Sequence, residues 1–245
     1  FLLTIAMISS QNFVTFANDH SNTQYADDII SEMYVNPLYE NQNQESDLQE
    51  EAGNSSISSY ANEEIEYLTS KEECAAILRE GMKQRQETIK VYYEAEAYVN
   101  GLGTEIIKLA CKHTGNPTEG DYLLACFKNV KVGGTKETLD NVCRMNFVFT
   151  PVYNTNAEQE EAVTARTHEV LDELNVYNKS DYQKVRAIYD YICSHVEYDD
   201  EHKNDEDYRL QFSAYGALID GKAVCQGYAV LFYRTALELG VDNRL

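Results

Sequence analysis

The chain has 245 residues, 41 of them acidic and 20 basic, for a formal net charge of -21, and 43% are apolar. That length holds one large domain or two small ones, at roughly 100–200 residues per domain, and the apolar fraction suffices for a packed core. The charge argues strongly against nucleic acid as a partner, because phosphate recognition needs a basic surface, and against docking on anionic lipid; no apolar run reaches the roughly 18 residues that a membrane span needs.

In chain order, Phe1 to Ile8 is a short apolar run. Polar residues follow, and then Thr15-Phe16-Ala17 puts small groups at the two positions a signal peptidase reads. No basic n-region precedes the run, so 1–17 reads as the remnant of a secretory signal in a sequence that starts inside the apolar stretch; an apolar N-terminal strand is the alternative. Residues 1–70 contain no Lys or Arg but 12 Asp or Glu, and Asn41 to Ser59 is mostly Asn, Gln, Glu and Ser. Such a stretch cannot bury enough apolar surface to offset the entropy of ordering it. Residues 18–62 therefore read as an acidic disordered spacer. No Asp-x-Asp-x-Asp-Gly loop is present, and solvation accounts for the acidity better than calcium does.

From 63 to 178 the pattern predicts a small α+β domain. Ser70 with Glu73 forms a capping box, and Cys74, Ile77, Leu78, Gly81 and Met82 then recur at helical spacing. Thr88 to Tyr93 alternates as a strand, with Ile89, Val91 and Tyr93 on one face. Leu102, Ile106, Leu109, Ala110 and His113 make a second helical stripe, stopped by Gly115-Asn116-Pro117. Tyr122 to Val132 and Val142 to Tyr153 are β-rich, and Gly133-Gly134 between them predicts an antiparallel hairpin. Asn156 with Gln159 opens a helix whose apolar face is Val163, Thr167, Val170, Leu171 and Leu174. None of this carries visible chemistry.

Residues 179–245 are the informative part. Ser180 and Gln183 form another capping box, and Val185, Ile188, Tyr189, Ile192 and Val196 line one helix face. After an acidic connection, Ser213 to Leu218 reads as a short helical turn broken by Gly221-Lys222. Ala223-Val224-Cys225-Gln226-Gly227-Tyr228-Ala229 then opens a helix that runs to Gly240, a natural C-cap. Cys225 falls in its first turn, where unpaired amides and the positive end of the helix dipole favour the nucleophilic thiolate form. Lys222 adds positive charge nearby. Gly227 removes a side chain, so that a second backbone or a substrate can approach closely. The competing reading of Cys225 is a small buried hydrophobe.

A resemblance shifts that balance. Tyr189-Asp190-Tyr191-Ile192, Val196-Glu197-Tyr198-Asp199, Ser213-Ala214-Tyr215-Gly216-Ala217-Leu218 and the run from Gly221 to Ala229 appear in order. Together they closely resemble the first half of the bacterial transglutaminase-like core, a papain-like thiol-enzyme fold; residues 63–180 also look loosely like the region that precedes this core in some secreted members. The resemblance implies an α+β fold, with a small N-terminal α/β region followed by the helical half of a truncated core. It also implies that Cys225 is the catalytic nucleophile, attacking a carboxamide or peptide carbonyl to give a thioester that an amine or water resolves. In the family the partner His and Asp follow the Cys by several tens of residues on strands of a later sheet, whereas Leu245 lies only 20 residues after Cys225 and His20, His113, His168, His195 and His202 all precede it. The chain is thus expected to be a fragment without turnover.

Cys74, Cys111, Cys126, Cys143, Cys193 and Cys225 contain no Cys-x-x-Cys pair, so no zinc site is expected. For a secreted protein, Cys126–Cys143 across the two β runs is the expected bridge; the alternative is that all thiols but Cys225 are buried and reduced. The functional expectation is a secreted or cell-surface thiol enzyme acting on protein or peptide substrates without a cofactor. The other class weighed is a non-catalytic cell-surface binding module with a transglutaminase-like shell. The oligomeric state is not legible.

Overall fold

The computed structural model describes residues 29–39, 65–139, 141–205 and 207–245. The apolar opening over 1–17, His20 and most of the expected spacer lie outside these residues.

Period-two alternation builds one four-stranded antiparallel sheet, in the order β1-β3-β4-β2. Strand β1 spans Ile29–Val35, β2 Ile89–Ala95, β3 Phe127–Leu139 and β4 Val142–Tyr153. Cys143, Met145, Phe147 and Phe149 of β4 and Ile89, Val91 and Tyr93 of β2 all turn inward, as alternate residues of a strand must. Helices α1 (Lys71–Lys83) and α2 (Leu102–Ala110) cover that face, packing Cys74, Leu78, Met82, Ile106 and Ile107 on it. Ser70 caps α1 by accepting from the Glu73 amide, but the box is not completed, because the Ser70 amide makes no reciprocal bond to the Glu73 side chain; the Ser70 hydroxyl donates to Glu72. Ile77, expected on the inner face, is exposed.

The expected spacer does not run through β1. Ile30 and Tyr34 are buried, while Ile29, Met33 and Val35 face out; β1 pairs with β3 from Ile29↔Thr135 to Val35↔Asn129. A polar average over 18–62 masks this seven-residue alternation. β1 also serves α2, whose N-terminal residue Gly101 has no side chain to cap it. Glu32 reaches across and accepts from the Gly101 and Thr104 amides, both at 3.1 Å, and from the Tyr98 hydroxyl at 2.9 Å. Burial first, then the Glu32 bond and charge, push the Tyr98 phenol up to about 12.

Three further expectations are corrected. Tyr122 opens no strand, because it lies in a short helix, α3 (Asp121–Ala125). β3 and β4 do pair antiparallel, but the hairpin closes at Leu139↔Val142 and Gly133-Gly134 lie inside β3. Gly134 has φ +146°, and a Cβ there would stand 2.0 Å from the Asn146 carbonyl oxygen, so this glycine permits a close backbone approach rather than a turn. Finally, all six cysteines are unbridged; Cys193 and Cys225 are exposed and the other four buried. Cys126 immediately precedes Phe127, which pairs with Tyr153. Cys143 therefore lies ten residues along β4 from that pair, roughly 30 Å away at about 3.3 Å per residue, far beyond the reach of a disulfide.

The remaining helices form a second core. Helices α4 (Ala157–Leu174), α5 (Asp181–His195) and α6 (Cys225–Glu238) bring together Val163, Val170, Leu171, Ile188, Ile192, Val230, Leu231 and Tyr233. Both expected capping boxes, Asn156/Gln159 and Ser180/Gln183, are made in both directions. Tyr189, expected on one helix face with Ile188 and Ile192, is exposed while those two are buried. Among the described residues no helix is long and apolar enough to cross a membrane.

Candidate active site

Cys225 is the first residue of α6 and is exposed. Local sequence explains the placement. A π-helical turn over Gly216–Asp220 stops at Gly221, whose φ of +71° suits glycine. The chain then forms a two-residue strand, β6 (Lys222–Ala223), parallel to β5 (Glu197–Tyr198). Val224 follows in extended conformation and begins the helix, but its side chain cannot accept a hydrogen bond. The first-turn amides beside the thiol are thus left without a side-chain cap.

The motif residues around the sulfur are held by backbone. The Val224 amide donates to the Gln211 carbonyl at 3.0 Å, and the Asp199 amide donates to the Ala223 carbonyl at 3.0 Å. A Cβ on Gly227 would lie 2.8 Å from the Gln211 carbonyl oxygen and 3.1 Å from that of Ser213, so the expected close approach of a second backbone is real. Gly216 is equally confined, with the Leu210 carbonyl oxygen 2.3 Å from where its Cβ would stand. The Tyr228 hydroxyl donates to the Val196 carbonyl at 2.7 Å, tying α6 to the end of α5.

Beside β6 lies an acid–imidazole pair. Asp199 is only 2% exposed and accepts from the His202 amide at 3.0 Å, with the His202 ring Nδ1 3.0 Å from its other oxygen. The ring stacks on Tyr208 at 3.9 Å. Burial pushes the Asp199 carboxyl up, but the His202 hydrogen bonds and the charges of His202 and Lys222 outweigh it and hold it below its ordinary value.

The histidines are engaged elsewhere. His113 contacts the Tyr233 hydroxyl at 3.2 Å and Asp242 at 2.8 Å; His168 lies 3.6 Å from Glu238; and His195 stacks on Tyr191 at 4.1 Å. None of the four described histidines hydrogen-bonds Cys225. Among the described residues no group of three or more His, Cys, Asp or Glu side chains is placed to hold a metal ion.

Two residues near the thiol escape a reading of the sequence. Gln211 is completely buried, with its amide donating to the Asp205 carbonyl at 2.7 Å and its Oε1 unpartnered. Tyr39 packs with Phe212 and Val224 in a small buried cluster of its own. Only the dipeptide Asn36-Pro37, a turn signal, hints that the chain folds back there.

Two comparisons with known proteins bear on this segment. Residues 169–245 match the family model of the transglutaminase-like superfamily. Kyphoscoliosis peptidase of Mus musculus is 38% identical over 80 residues, which cover 33% of this chain and 12% of that protein. The C-terminal part of the chain therefore carries a transglutaminase-like domain, within a mixed α/β fold.

Proposed function

We propose that Cys225 is the nucleophile of a transglutaminase-like thiol enzyme, exported or surface-bound, that acts on protein or peptide amides. The observation that carries this reading is an exposed thiol on the first residue of a helix whose start has no side-chain cap, inside the segment that matches the family. Free cysteines are among the most buried of residues, so an exposed one at this position calls for a chemical reason. The Cys225 thiol gives its proton to a base and attacks the carbonyl carbon as thiolate; the new C–S bond and the broken C–N bond give a thioester, and the departing amine takes up that same proton from the base. First-turn amides are the natural donors to the developing oxyanion. An amine or water then displaces the sulfur, giving transfer or hydrolysis. The resemblance assigns the proton acceptor to a His that follows the Cys in chain order. The relative's printed name, a peptidase, supports amide substrates.

Cys193 is the internal control, because it is the other exposed thiol. Under limiting iodoacetamide near pH 6, Cys225 is expected to label about tenfold faster than Cys193, as read by peptide mass spectrometry. Equal rates would remove the support for a nucleophile. In the same preparation, amine incorporation into a glutamine-bearing protein or hydrolysis of a peptide amide, lost in Cys225→Ala, would show turnover by the chain itself.

A further inference from the structure

The residues on both sides of Cys225 are held by one side chain from far upstream. After β1 the chain turns at Asn36, which is fully buried. The Asn36 side-chain amide donates to the carbonyls of Leu124 and Phe127, each at 2.6 Å. Its Oδ1 accepts from the Leu38 amide at 3.0 Å, and its backbone carbonyl accepts from the Tyr39 amide at 2.9 Å. These bonds leave the path of 36–39 little freedom and deliver Tyr39 to the start of α6.

There the ring of Tyr39 meets Phe212 edge-on, with centroids 5.5 Å apart and planes at 70°, and shares a buried cluster with Val224. Its hydroxyl accepts from the Asn154 amide at 2.6 Å and from the Gln226 amide at 3.3 Å. Asn154 is itself fixed by donating to the Ala125 carbonyl at 2.9 Å. A chain of hydrogen bonds thus runs from α3, through Asn154 and Tyr39, to the residue next to the thiol. Apolar contact with the residue before the thiol completes the grip.

We propose that Tyr39 is a positioning residue for Cys225. It fixes Val224 through its ring and Gln226 through its hydroxyl, so that the thiol and the first-turn amides keep one relative orientation. The proposal rests on reading Cys225 as the nucleophile only for its catalytic meaning; the mechanical claim stands on the contacts. Releasing the hydroxyl unties Gln226 and loosens the first turn of α6, so the thiol and the first-turn amides lose their fixed relative orientation.

The test is alkylation of Cys225 by iodoacetamide across pH, with Cys193 read in the same samples, in wild type, Tyr39→Phe, Tyr39→Ala, Gln226→Ala and the Tyr39→Phe/Gln226→Ala double variant. Tyr39→Phe keeps the ring packing and loses only the hydroxyl. It is expected to slow Cys225 about threefold or more across the pH range, with Cys193 unchanged. Gln226→Ala is expected to do the same, and the double variant no more than either single, as for two partners in one interaction. A merely structural role would change the unfolding midpoint and leave the Cys225 rate in place. An unchanged Cys225 rate in Tyr39→Phe would overturn the proposal even if Tyr39→Ala fails to fold. A wild-type Cys225 no faster than Cys193 would count against the nucleophile alone, since positioning is read from the ratio of variant to wild type at Cys225.

Discussion

At the scale of single residues, the site is governed by what cannot be added to it. Gly227 faces the Ala223 Cβ and two carbonyl oxygens, not the flexible ends of long side chains, so its neighbours cannot yield cheaply. Gly227→Ala is expected to destabilise the protein by about 1–3 kcal/mol, the usual cost of overpacking, as read by urea unfolding. Gly227 was legible as a motif glycine and Ser213 as the start of a helical turn, but no local pattern revealed that the Gln211 and Ser213 carbonyls close on Gly227. Asp199 offers a second prediction. Its folded carboxyl lies below its ordinary value of 3.8, so its contribution to stability is present above that value and lost as pH falls through the folded value. Asp199→Asn is therefore expected to flatten the acid limb of stability against pH below the ordinary Asp range, in unfolding curves taken at a series of pH values. An unchanged limb would show that the His202 bonds do not govern that carboxyl.

At the scale of elements, the sequence was clearest where chemistry is local. Ser180/Gln183 and Asn156/Gln159 announce their helix starts, because both halves of a capping box sit within four residues. The strands of the β3–β4 hairpin were visible in their alternation, but its turn was not: Gly133-Gly134 carry the composition of a turn and the function of a close strand contact. The short helix α3 hid for a similar reason, since Tyr122 and Leu123 suit a strand as well as a helix by residue type. The cap of α2 was out of reach altogether, because its acceptor, Glu32, is 69 positions from Gly101 and belongs to strand β1. Glu32→Ala is expected to cost about 1 kcal/mol, in the range for loss of a helix cap, and to raise hydrogen exchange selectively in the first turn of α2. Exchange that rises evenly along α2 would argue against a capping role.

At the scale of the whole molecule, the chain builds two hydrophobic cores, one on the sheet under α1 and α2 and one among α4, α5 and α6. The cluster of Tyr39, Phe212 and Val224 is separate from both. Periodicity indicated an α+β chain and the C-terminal motifs located the thiol, but the fold-back of 36–39 depends on partners spread over nearly the full length and left almost no local trace. The thiol inventory gives a global check. Native protein is expected to show two rapidly reactive thiols toward Ellman's reagent and all six after unfolding, with no change in intact mass on reduction beyond added label. A loss of reactive thiols that reductant restores would place a bridge where the fold has none.

The pairing of β1 with β3 also bears on how the protein is made. The first strand of the sheet leaves the ribosome about a hundred residues before its partner, a delay of roughly 5–20 s at ordinary rates of synthesis. Throughout that interval Ile30 and Tyr34 have no sheet to enter, and the strand's amides and carbonyls stay open to any neighbouring edge. A nascent chain stalled in this window would be the form of the molecule most in need of a chaperone.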